Sequence, residues 1–260
     1  MTASSPDIPL VALRREIDLI DDQVLHLLIQ RFVATERVRA SKAQDGTISS
    51  SPFRPAREAV IMRRLTAESE GRLPPELLVR LWRVILSASI QLQAPVTLHM
   101  DAALGQDLST RILIAQHFCG MAVVLHPSPK DALAALLTAQ GDLAVIATSS
   151  DWAQGFAPRE KGGAQVIGTL PVLMHGNQPQ LLIFGHAEPQ ASGDDETLVL
   201  IPGQDLDIVS NLWQAHSGTY TLVSLPGFLE AAAPLLHDVL TRFPGARIAG
   251  SAPRPLKVFP

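Results

Sequence analysis

Residues 6–43 read PDIPLVALRREIDLIDDQVLHLLIQRFVATERVRASKA, and from Val11 to Gln44 neither proline nor glycine interrupts the chain. Leu10, Leu13, Ile17, Ile20, Val24 and Leu27 recur at alternating spacings of three and four. That is the a/d pattern of a helix with one apolar stripe. The spacing predicts a single helix over about Pro6 to Ala43, on the order of 50 Å long at 1.5 Å per residue. Such a helix is longer than a small domain is wide, so its stripe calls for a partner chain to cover it.

Asp45–Gly46 is expected to end this helix, and Ser49, Ser50, Ser51, Pro52 and Pro55 mark a short link. A second helix is predicted from Pro55 to Glu70, stopped by Gly71. A third starts at the Leu73–Pro74–Pro75–Glu76 step and runs to Leu92, closed by Pro95. Three such helices make an all-helical bundle. Beyond Pro95, β-rich runs (96–100, 122–125, 143–147, 181–184, 197–201, 220–225) alternate with helical stretches (110–118, 129–139, 207–216, 229–243). This alternation predicts an α/β or α+β region. Glu188 to Glu196, carrying Pro189, Ser192 and Gly193, reads as a linker within it.

Composition narrows the class. A net charge of −4 gives no global pull towards nucleic acid. Residues 1–96 hold 13 Lys/Arg against 11 Asp/Glu, and the remainder 8 against 14. Anionic ligands are therefore expected at the front of the chain rather than the back. The lone Cys119 rules out an intramolecular disulfide framework and is expected as a core thiol in a reducing compartment. The first residues, Met1 to Asp7, lack the basic start and apolar core of a signal peptide, and no apolar run reaches the roughly 20 residues that cross a bilayer. A cytoplasmic protein with no membrane contact is expected. The eight histidines show no HExxH context, and neither GxGxxG nor a P-loop occurs, so no metal and no cofactor are predicted.

Charged and polar residues stand where the helices should be apolar. The a/d register beyond Val24 and Leu27 next falls on Arg31. A guanidinium on that seam either snorkels to solvent and pairs with an acid, or holds an anion. Lys42, eleven residues on, projects to the same side; alone, it reads as a charge favouring the helix C-terminus. Arg14 is some 25 Å away along the axis and could reach such a site only from a partner chain. Arg57–Glu58 opens the second helix, where Glu58 also complements the helix dipole. Ser89 and Gln93, four apart, share a face of the third helix.

Together these pieces resemble the all-helical chorismate mutase family over residues 10–93. The resemblance is carried by Leu13–Arg14–Arg15–Glu16–Ile17 with Asp21, by Leu27–Leu28–Ile29–Gln30–Arg31, by Val38–Arg39–Ala40–Ser41–Lys42, by Arg57–Glu58, and by Ser89 with Gln93. It implies an intertwined homodimer that rearranges chorismate to prephenate. Arg31 and the partner chain's Arg14 would bind the two carboxylates, Lys42 and Gln93 the ether oxygen, and Glu58 the ring hydroxyl. Arg57 would order the charge network and Ser89 would assist with a carboxylate. Arg54 departs from the family, standing where many members carry an acid, and is expected to alter local charge. Two rival readings are a lyase on the same fold that eliminates pyruvate from isochorismate, and a non-catalytic dimeric regulatory or ligand-sensing protein.

Further on, Leu104 to Thr110 and Gly141 to Ser150 resemble prephenate dehydratase motifs. Ser192 to Leu198 resembles the join to an ACT domain, and Ala246 to Ser251 the last strand of one. The implied organisation is a helical mutase domain over 1–96, a truncated dehydratase-like α/β region over 97–190 and an ACT-like α+β region over 191–260. Near Gln180–Phe184 the dehydratase family's Thr-Arg-Phe motif has neither its Thr nor its Arg, and Gln154 to Val166 is too short for a second lobe. The ligand motifs of the ACT family are replaced by Gly203–Gln204–Asp205–Leu206 and Val223–Ser224–Leu225–Pro226. Purified protein given prephenate is expected to yield no phenylpyruvate; measurable turnover would overturn this.

Overall fold

The computed structural model describes residues 9–44, 51–156, 163–174, 176–203 and 211–257. The chain divides into two compact units, Met1–Thr47 and Ile48–Pro260. In the first, helix α1 spans Leu10–Gln44, the expected single helix. None of its residues is buried, and its stripe stands open, with Ile17 57% and Leu27 62% exposed. The helix stop expected at Asp45–Gly46 and the first part of the link lie outside the described residues.

The second unit opens with α2 (Pro55–Glu68) and α3 (Pro75–Gln93), each begun by a proline in its first turn. Proline suits that position because its missing N–H has no helical partner there anyway. Then follow β1 (Thr97–Asp101), α4 (Ala102–Gln106), α5 (Leu108–His117), β2 (Ala122–His126), α6 (Pro129–Ala135) and β3 (Leu143–Ala147). Asp101, Asp107 and Ser128 cap α4, α5 and α6 by accepting backbone N–H groups. The remaining elements are β4 (Gln165–Leu170), β5 (Leu173–Met174), β6 (Leu181–Gly185), β7 (Asp195–Pro202), β8 (Trp213–Ser217), β9 (Tyr220–Pro226), α7 (Pro234–Arg242), β10 (Arg247–Pro253) and β11 (Leu256–Lys257).

Nine strands form one sheet in the order β2-β1-β3-β6-β4-β10-β7-β9-β8. β1 runs parallel to β2 and β3, and β10 parallel to β4; the other pairs are antiparallel. Its two faces carry different cores. One joins Trp152, Phe156, Phe184, Leu198 and Leu222. The other joins Phe53, Ile90, Leu98, Phe118, Leu143 and Ile183, so residues flanking α2 and ending α3 belong to the core of the sheet.

These units do not coincide with the expected segments 1–96, 97–190 and 191–260. The division falls at Thr47/Ile48 because the apolar face of α3 and Phe53 are buried with the strands. No break occurs near 190/191, where the sheet continues through β4, β10 and β7. The helix expected over 207–216 also needs correction. Residues 207–210 lie outside the described ones, and Trp213–Ser217 is strand β8, with Trp213, Ala215 and Ser217 inward and Gln214 and His216 outward. That is the two-residue period of a strand. Cys119 is half-buried rather than a core thiol, since the chain turns to the surface at Gly120 after the buried His117 and Phe118.

Gly250 makes the seam between β10 and β4 possible. It pairs with Val166 where both strands are irregular, at φ +150°, and a Cβ on it would stand 2.0 Å from the Val166 carbonyl oxygen. No L side chain fits without moving a strand. Gly250→Ala is expected to destabilise the protein by about 3 kcal/mol, from overpacking plus backbone strain. A urea unfolding curve would measure it, and an unchanged midpoint would refute this account of the seam.

Candidate active site

Arg14, Arg31 and Lys42 all lie on α1. Arg31 and Lys42 are half-buried and Arg14 is exposed. Partial burial lowers the pKa of Arg31 from a value so high that the charge is kept. Eleven residues put Arg31 and Lys42 about 16 Å apart along the axis, on one side of the helix.

On α3, Ser89 is buried and Gln93 half-buried, one turn apart. The Ser89 hydroxyl donates to the Ile85 carbonyl (2.7 Å) and the Gln93 side-chain N–H to the Ser89 carbonyl (3.1 Å). The helix backbone thus aligns these two polar side chains along one edge.

Arg57 and Glu58, adjacent in sequence, diverge on α2. Arg57 is exposed, while Glu58 is 8% exposed. Its partner is a residue that sequence reasoning did not select. Arg83, 3% exposed, donates through Nη1 to Glu58 Oε2 at 2.5 Å. The same guanidinium donates from Nε and Nη2 to the carbonyl of His117, each at 3.2 Å, and the Ser87 hydroxyl donates there too at 2.9 Å. One ion pair therefore joins α2, α3 and the end of α5. Arg83 was visible as a charge set among the apolar positions Val79, Leu86 and Ile90 of α3. Its pairing across 25 residues in sequence had no signal.

His117 lies within this cluster. Burial, helped by the charge of Arg83, holds its pKa well below the usual imidazole range, so it is neutral. Its Nε2 has no hydrogen-bond partner in the structure, and neither has the buried hydroxyl of Thr169 on β4. A second tie sits nearby: Arg63 of α2 donates to the carbonyls of Ser192 (3.0 Å), Asp194 (2.6 Å) and Arg254 (3.1 Å) and to the Ser192 hydroxyl (2.9 Å). Among the described residues no group of three His, Cys, Asp or Glu is placed to hold a metal, and no helix is long and apolar enough to cross a membrane.

Residues 13–94 match the family described as Chorismate mutase type II. This stretch is similar to chorismate mutase type II domains. It contains Arg14, Arg31, Lys42, Arg57, Glu58, Arg83, Ser89 and Gln93, while His117 and Thr169 lie beyond it. Two curated relatives, both named bifunctional chorismate mutase/prephenate dehydratase, are similar to the chain. The Neisseria gonorrhoeae protein is 33% identical over 110 residues, 42% of this chain and 28% of that protein. The Pseudomonas aeruginosa protein is 32% identical over 121 residues, 45% of this chain and 32% of that one. The chain thus spans less than a third of the length of these relatives. Two solved structures also align. Prephenate dehydratase from Streptococcus mutans does so at 10% identity over 64% of this chain and 100% of that one, with a TM-score of 0.37. A protein described as GqqA, a novel type of quorum quenching acylases, does so at 14% identity over 60% and 94%, also with a TM-score of 0.37.

The neutral His117 makes acid stability a readout of the cluster next to the mutase residues. The unfolded imidazole titrates near 6.5, whereas the folded one resists protonation to lower pH. Below about 6.5 the unfolded chain therefore binds more protons, so this contribution to stability is full above that pH and is lost as pH falls towards the folded pKa. The urea midpoint of the wild type is expected to fall more steeply from about pH 7 to about pH 5 than that of His117→Phe. Parallel pH profiles would show that histidine does not respond as argued.

Proposed function

We propose that the chain is a chorismate mutase, rearranging chorismate to prephenate in aromatic amino acid biosynthesis, and that it acts as a homodimer through α1. The match of residues 13–94 to the chorismate mutase type II family carries this reading. The names of the relatives support it.

The reaction is pericyclic. It needs no nucleophile, no metal and no obligatory proton transfer, so catalysis rests on holding the substrate compact and stabilising charge that grows in the transition state. Arg31 and the partner chain's Arg14 would grip the two carboxylates and bring the enolpyruvyl arm over the ring. Lys42 and the Gln93 side-chain N–H would donate to the ether oxygen as its bond to the ring lengthens. Ser89 would assist at a carboxylate. Glu58 would accept from the ring hydroxyl through Oε1 while Arg83 engages Oε2 and fixes the carboxylate's orientation. Arg57, exposed at the start of α2, would act through long-range charge.

Dimerisation is supported by the open stripe of α1, whose large apolar residues from Leu10 to Val38 stand exposed along a helix with no buried residue. So many exposed large apolar residues on one helix signal an interaction face. Cytoplasmic location follows from the same reading, since the substrate belongs to primary metabolism.

Lys42→Ala and Gln93→Ala are each expected to lower turnover of chorismate at least 100-fold, the scale for losing a transition-state donor. Both variants should keep the wild-type melting temperature and sediment as dimers. Isochorismate, assayed in parallel for pyruvate release, should be a poor substrate. Wild-type turnover in either variant, or a monomer in solution, would overturn the corresponding part of the proposal.

A further inference from the structure

Behind the Glu58–Arg83 pair lies a cavity of about 180 Å³, walled by α3, the end of α5 and the stretch leading into β5. That volume exceeds the roughly 150 Å³ known to admit a benzene ring. Its floor is apolar, with Val79, Leu113 and Val172 among the lining side chains. Polar groups converge on it from two sides. Arg80 and Glu76 come from α3, the exposed Arg80 standing one turn before the buried Arg83. From α5 comes His117, 5% exposed and with no partner for Nε2.

A buried nitrogen without a partner is costly in a packed interior, and natural proteins keep few such atoms unless something meets them. His117 is one of the residues lining a cavity large enough for a ligand. Being neutral, His117 can carry its proton on Nε2 and donate. Arg80 supplies a full positive charge beside it, whereas the charge of Arg83 is already answered by Glu58. An apolar floor with an imidazole N–H and a guanidinium at one side fits an apolar body bearing a single carboxylate.

We propose that this cavity is a binding site for a small aromatic or aliphatic monocarboxylic acid. The carboxylate lies between the Arg80 guanidinium and His117 Nε2–H, and the apolar body rests on Val79, Leu113 and Val172. The site uses none of the residues assigned to chorismate, and so goes beyond the mutase reading and stands or falls separately from it. Glu76, also on the wall, is a like charge to the ligand and opposes binding.

Benzoate and its uncharged counterpart benzamide, titrated calorimetrically into the full-length protein, test the assignment. Benzoate should bind saturably and at least about tenfold more tightly than benzamide, the worth of one charge-assisted contact. Arg80→Gln changes an exposed side chain and should leave the melting temperature intact while weakening benzoate about tenfold. His117→Phe keeps the ring and should weaken it similarly. Glu76→Gln should tighten it. No saturable binding, equal affinity for benzamide, or an unchanged affinity in Arg80→Gln and Glu76→Gln would each overturn the proposal, whatever the turnover of chorismate.

Discussion

The ion pair between Glu58 and Arg83 is the constraint on which the second unit rests. Both side chains are nearly out of water, where an unanswered charge is costly and removing one partner of such a pair typically costs about 3–5 kcal/mol. Arg83 also takes the His117 carbonyl with two of its N–H groups, so α2, α3 and α5 have one shared geometry. With Arg63 bound to the loop before β7 and to Arg254 beyond β10, α2 is fastened at two points to parts of the chain more than a hundred residues away. The helices after Thr47 consequently pack as part of the sheet's own unit.

The family segment and the packing unit therefore differ. Residues 13–94 match the chorismate mutase type II family as one segment, yet the chain's contacts divide within it. α2 and α3 serve both. Their inward faces, with Met62, Leu78, Leu86 and Ile90, are covered by neighbours within the second unit, while Ser89 and Gln93 keep their polar groups aligned along α3. Conversely α1 has a stripe of leucine, isoleucine and valine with no buried member.

Much of the fold was legible in the sequence. The three- and four-residue spacing from Leu10 to Leu27 gave α1, and Pro55, Gly71, Pro75 and Pro95 bracketed α2 and α3. Several strands followed from β-branched runs. The stretch leading to His216 misled because Ile208, Val209, Leu212 and Trp213 also fit a helical period, and only the alternation from Trp213 to Ser217 distinguishes a strand. β4 escaped because Gly168, at its bulge, breaks the apolar alternation. At the site, the cations of α1, the start of α2 and the Ser89/Gln93 edge could be read from spacing and resemblance. Arg83 as the partner of Glu58, and His117 beside it, could not, because they meet through tertiary packing that no local period encodes.

The order of the strands has a consequence for how the protein is made. β10 lies between β4 and β7 in the middle of the nine-stranded sheet, yet it is the last of those nine to leave the ribosome. Until it arrives, β4 and β7 each present a bare edge of unpaired amides and carbonyls, with the two halves of the sheet unjoined. The nascent chain must hold both edges apart from other chains until residues 247–253 emerge, and only then can the sheet close in a single late step.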